Sequence, residues 1–258
     1  MTSISSPETP AAPLAHMPPT LFGAVMGVSG LGLAWRQAEK LLDWPSLPGD
    51  IVLLIGAAML AAVAPAYIAK CLLYPAMLWR DFDHPVKGPF LAGAPLAIQL
   101  QVPAILPLYS GVADGLFLCG AGLSLFLTLY IMSRWFLRPQ EMSKMNPVWL
   151  IPGVGGFLTA LMGPSLGYIE LSWFFFSISV VIWILLSAVL MYRIMFGPAL
   201  PAPLTPTYFV PIVPPALMSM IFPLLVPGEI SPFTRVIYYF ALFLLLLNIS
   251  MIRTFLRV

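Results

Sequence analysis

The chain has 258 residues, 60% of them hydrophobic and only 9% charged, with a formal net charge of +2. A single soluble core of this length cannot hide so much apolar surface, which excludes a soluble globular domain and predicts an all-α integral membrane protein. So small a net charge gives no reason to expect nucleic acid as a partner.

Residues 1–18 hold no Lys, no Arg and no apolar core, so they fail as a signal peptide and read as a disordered tail. A membrane domain over 19–258 follows, with eight apolar segments: Pro19–Trp35, Ile51–Leu73, Pro89–Tyr109, Val112–Trp135, Pro147–Met162, Leu171–Met195, Pro206–Val226 and Phe233–Ile252. Each is near or somewhat short of the ~20 residues that cross ~30 Å of hydrocarbon. The first carries Gly23, Gly27, Gly30 and Gly32. The third opens at Pro89 and holds Gln99 and Gln101 as its only deep amides. The short fifth opens at Pro147, carries Gly153, Gly155, Gly156 and Gly163, and is expected to tilt or partly unwind. The seventh opens at Pro206. In contrast, the sixth and eighth contain neither Pro nor Gly, and the eighth has Asn248 as a candidate for interhelical hydrogen bonding.

Helices broken by Pro and Gly need neighbours to satisfy the freed backbone groups, whereas a lipid-facing helix has no such help. The odd segments are therefore expected inside and the even ones outside. Pro89, Pro147 and Pro206 lie 58 and 59 residues apart, so each odd–even pair reads as one repeating hairpin. Four hairpins result, with every odd helix starting at the same side.

Lys and Arg set the expected orientation. Lys70, Arg80, Lys87, Arg134, Arg138, Lys144, Arg193, Arg253 and Arg257 fall on one side; Arg36, Lys40 and Arg235 fall on the other. Nine against three places both termini in the cytoplasm. Odd-helix N-termini, each with roughly half a unit of positive charge, would then face the cytoplasmic mouth and favour anions there. Trp35, Trp44, Trp79, Trp135, Trp149 and Trp173 lie near segment ends as an interfacial belt. Cys71 and Cys119 sit at different depths and should not pair.

Asp81, Asp83 and His84 cluster in sequence but have no distant partner, so a solvated turn is expected in place of a metal site. No ionisable side chain lies near a segment midpoint, which favours passive conduction over coupled transport. Neither an HExxH pattern nor a nucleophile with a partner His is present, so no enzyme and no cofactor is expected.

Four stretches carry a resemblance: Met17 to Arg36, Asp83-His84-Pro85-Val86, Asn146 to Pro152, and Pro206 through Pro211-Ile-Val-Pro-Pro215. Together they resemble the tellurite-resistance/C4-dicarboxylate transporter family, which includes the plant slow anion channels. That resemblance implies a homotrimer in the cell inner membrane, each protomer having its own pore inside a quasi-fivefold ring of five hairpins. It also implies ten helices, the ninth bearing an occluding phenylalanine. This chain supplies eight, so an incomplete ring and a fragment or truncated product are expected, in the extreme a non-conducting one. Phe22 and Gly23 match the family's pore pair on the first helix, and Ile212, Pro214 and Pro215 match mid-pore positions on the seventh. The expected pore lining is Phe22, Gly23, Gln99, Gln101, Gly156, Ile212 and Pro214. Passive conduction or export of small anions is the expected function; the alternative is proton-coupled transport of a C4-dicarboxylate, sulfite or tellurite.

Overall fold

A computed structural model describes residues 13–228 and 230–255, and all regular structure among them is helical. Helices α1 (Leu21–Leu42) and α2 (Leu47–Leu73) form the first hairpin. They approach closely because small residues line their contact. A Cβ on Gly32 would lie 2.7 Å from Leu53 Cγ, one on Gly49 would lie 3.1 Å from Trp35, and Gly56 presses on Ser29.

A nine-residue helix, α3 (Pro75–Asp83), follows where the sequence predicted only a loop. Its Leu78, Trp79 and Phe82 line an apolar groove while Asp81 turns into the protein.

The third segment is broken into α4 (Lys87–Leu91), α5 (Gly93–Gln99) and α6 (Val102–Ile105). Proline explains both breaks. Pro95 and Pro103 lack the N–H, and their rings crowd the carbonyls four residues earlier, at Leu91 and Gln99, the last residues of α4 and α5. Helix α7 (Ser110–Leu137) completes the second hairpin.

A 3-10 turn at Pro147–Leu150, capped by Asn146 Oδ1 accepting from the Val148 N–H at 3.1 Å, leads into α8 (Ile151–Met162). Helix α9 (Ile169–Phe196) pairs with it. A proline-bearing 3-10 stretch, Ala202–Ile212, enters α10 (Val213–Leu225), which pairs with α11 (Pro232–Ser250). A short α12 (Ile252–Phe255) ends the described chain.

Seven of the eight expected segments are long and apolar enough to cross a bilayer. The exception is α1, 22 residues long but diluted by its glycines and by Arg36, Glu39 and Lys40 at its end.

The α1, α5, α8 and α10 helices pack side by side in that order, and α2, α7, α9 and α11 back them as hairpin partners. Burial follows this division: 67% and 83% of the apolar windows of the third and fifth segments are buried, against 17% for α2 and 22% for α9. Only 28% of the seventh is buried, because α10 ends the inner row.

Within the expected tail, Pro13–His16 form a 3-10 turn, Ala15 is buried and Met17 packs against the cluster that holds Tyr67. The rest of that tail, residues 1–12, lies outside the described residues. Both cysteines are free thiols.

Candidate functional site

The inner helices share one apolar cluster. Met26 and Leu33 come from α1, Leu96 from α5, Val154 and Leu158 from α8, and Leu217 from α10. Asp, Glu, Lys, Arg and His are absent from 17–35, 88–109, 147–166 and 202–225. Two amides cross-link this neutral interior: Gln99 Nε2 donates to Thr159 Oγ1 at 2.7 Å, and Gln101 Nε2 donates to Ser29 Oγ at 2.8 Å. Both side chains are buried, and each leaves its Oε1 without a hydrogen-bond partner. The two Nε2 bonds tie α5 to α8 and the α5–α6 junction to α1.

The structure does not gather the seven expected lining residues on one surface. Phe22 is 3% exposed and meets Tyr67 of α2 edge to face at 5.4 Å. The Cβ position of Gly23 lies 3.2 Å from the Phe90 ring instead. Gln99 and Gln101 are the cross-links just described. Gly156 faces the outer helix α9, where it touches Ser179 and Phe175. Ile212 is half-buried at the entry to α10, and Pro214 is buried on that helix's packed face.

Helix α1 does have a free face: Ala24, Gly27, Leu31 and Ala34 are exposed, and nothing lies within 4 Å of a Cβ placed at Gly27 or Gly30. Gly23, Gly27, Gly30 and Ala34 recur at helical spacing along it.

Sequence reasoning missed the polar centre at the basic end. Lys70, 1% exposed, donates to Asp81 Oδ2 at 2.5 Å and to the Met17 carbonyl at 2.7 Å. Tyr67 adds its hydroxyl to Asp81 Oδ2 at 3.1 Å, and Lys87 approaches Oδ1 at 3.7 Å. The expectation of a solvated turn is therefore wrong for Asp81, which is buried and shared by two ammonium groups. The one available signal was a lysine flanked by Tyr67 and Cys71 inside the last turn of an apolar helix. Arg193 is likewise buried, with its guanidinium donating to the Pro198 and Ser143 carbonyls near the C-terminus of α9.

Asp83 stays exposed and is clasped by Arg134 and Arg138 from α7 and its end. His84 Nδ1 accepts the N–H groups of Val86 and Lys87 at 3.1 and 3.3 Å. Partial burial lowers the pKa of His84, with the Lys87 charge acting in the same direction and the Asp81 charge opposing it.

A multi-pass helical bundle with a neutral, tightly cross-linked inner row and a basic end defines a membrane protein of the channel or transporter class. Comparison with known proteins makes this specific: residues 16–257 match the voltage-dependent anion channel family SLAC1, and the chain belongs to that family. It is similar to S-type anion channel SLAH2 of Arabidopsis thaliana, at 30% identity over 94% of this chain and 49% of the relative. It is also similar to the guard cell S-type anion channel SLAC1 of the same plant, at 24% identity over 94% of the chain and 45% of the relative. A Tellurite resistance protein TehA homolog of Haemophilus influenzae is 26% identical over 69% of this chain and 55% of that protein. The chain thus spans about half the length of the curated relatives it matches.

Proposed function

We propose that this chain conducts small anions passively across the cell inner membrane. The observation that carries this is the inner row: four Pro- and Gly-interrupted segments without a fixed charge, opening at an end where Lys and Arg collect. Selectivity then comes from helix dipoles and the basic mouth, with no charged site inside to trap the ion. The path follows the free face of α1, along Gly23, Gly27, Gly30 and Ala34, and Phe90 is the aromatic that narrows it. The basic end and both termini face the cytoplasm. Assembly as a homotrimer, with one path per protomer, is part of this reading.

Proton-coupled transport of a C4-dicarboxylate, sulfite or tellurite is the second reading, favoured by one observation, the buried carboxylate of Asp81. It ranks lower because Asp81 sits at the bundle's end between Lys70 and Lys87, away from the inner helices' mid-depth.

Reconstituted protein in a potassium chloride gradient should give a reversal potential of the sign set by the chloride gradient. A potential following potassium would contradict anion conduction.

A further inference from the structure

The basic end holds a second feature, separate from the inner row. A cavity of about 70 Å³ opens there, lined by Asp83, His84, Arg134, Arg138, Gln140 and the stacked pair Trp135–Trp149, whose rings lie 4.8 Å apart. Asp83 is the only acid among its walls. Arg134 Nη2 and Arg138 Nη1 both donate to Asp83 Oδ1, so two guanidinium groups share one carboxylate and one positive charge is left over. Lys87, itself a cation, faces Asp81 at 3.7 Å and brings no negative charge to the cavity. Because His84 Nδ1 accepts two backbone N–H groups, the ring proton resides on Nε2, which makes His84 a further donor at the wall. Gln140 Nε2 donates to the Arg138 carbonyl at 2.9 Å and holds the second arginine's loop in place.

Guanidinium groups match planar anions that accept parallel N–H bonds, and the carboxylate seated here has that shape. We propose that this cavity binds a planar trigonal oxyanion, such as nitrate or a small carboxylate, and that Asp83 is a tethered competitor holding the site when the anion is absent. Its occupancy decides whether the link between α3 and α4 is pinned to the end of α7. Since α4 leads into the inner row, the site is placed to report cytosolic anion to the path. That role rests on the channel reading, whereas binding itself does not.

The test is a nitrate titration of the purified protein in neutral detergent, with chloride as the spherical control at matched ionic strength. Melting temperature is followed by tryptophan emission. Nitrate should stabilise the protein saturably and beyond chloride. Asp83→Asn should lower the half-saturating nitrate concentration by about tenfold, and Arg134→Gln added to it should abolish saturation. An unchanged half-saturation in Asp83→Asn, or persistent saturation in the double variant, would overturn the proposal. Should Asp83→Asn not fold, Arg138→Gln serves instead. Its side chain is 60% exposed and it leaves the Arg134–Asp83 pair intact, so nitrate binding should weaken about fivefold. No weakening contradicts the site.

The same planar chemistry could come from a lipid carboxylate. Nanodiscs of phosphatidylcholine with and without phosphatidylserine separate the two sources: equal nitrate affinity supports a free anion, and loss of nitrate binding with phosphatidylserine assigns the site to lipid. Binding is read without current, so its failure leaves the proposal of conduction standing.

Discussion

Lys70→Met is expected to destabilise the protein by about 3–5 kcal/mol, read as a shift in denaturant midpoint in detergent. The substitution nearly preserves volume but removes the proton donor to Asp81 Oδ2 and to the Met17 carbonyl, both away from solvent. Asp81 would keep Tyr67 and the more distant Lys87, too little to offset a buried carboxylate. Adding Asp81→Leu to Lys70→Met removes the stranded charge and should recover much of the loss, because a matched apolar pair avoids the desolvation that the ion pair must overcome. Arg80→Gln is the control. Arg80 is exposed, and its one hydrogen bond among the described residues goes to the Met77 sulfur at 3.9 Å, so a change within about 0.5 kcal/mol is expected. Equal effects of Lys70→Met and Arg80→Gln would show that the buried cluster does not hold α2, α3 and the Met17 segment together.

Phe22→Ala and Phe90→Ala should separate stability from conduction. Phe22 packs with Tyr67, Val25, Leu91 and Ala97, so truncating it should cost about 3–5 kcal/mol and leave single-channel conductance unchanged. Phe90 is only half-buried and its ring edges over Gly23 on the free face of α1. Phe90→Ala should therefore raise conductance severalfold with a smaller loss of stability. If Phe22→Ala raises the current and Phe90→Ala does not, the aromatic that narrows the path has been assigned to the wrong side of α1.

The inside–outside division was legible because proline and glycine act through the backbone, and a backbone break demands neighbours wherever the helix lies. Pro95 and Pro103 even mark where the third segment divides. What a side chain faces was harder to read. A Phe-Gly pair on a helix shows that a ring and a gap stand next to each other, but the position of α2, with Tyr67 opposite Phe22, decides which of them meets the path. Gly156 illustrates the same limit: a glycine that admits a close neighbour looks the same in sequence whether that neighbour is Ser179 of an outer helix or a permeating ion. Gln99 and Gln101 were legible as polar groups needing partners, although only the fold supplied Thr159 and Ser29. Lys70 and Asp81 escaped because a lysine near a helix end usually reaches for water. Here α3 folds back over it with a carboxylate, and α3 itself is too short to leave a strong periodic signal.

Cysteine accessibility along α1 tests the proposed path most directly. In a background with Cys71 and Cys119 replaced by Ala, Gly27→Cys and Gly30→Cys occupy positions with open space ahead of them, and Leu54→Cys on α2 is 71% exposed on an outer helix. A water-soluble, negatively charged thiol reagent should modify the two α1 cysteines and block the anion current, while Leu54→Cys remains unmodified in lipid. Modification of Leu54→Cys with intact current in the modified α1 variants would contradict an anion path along the inner row.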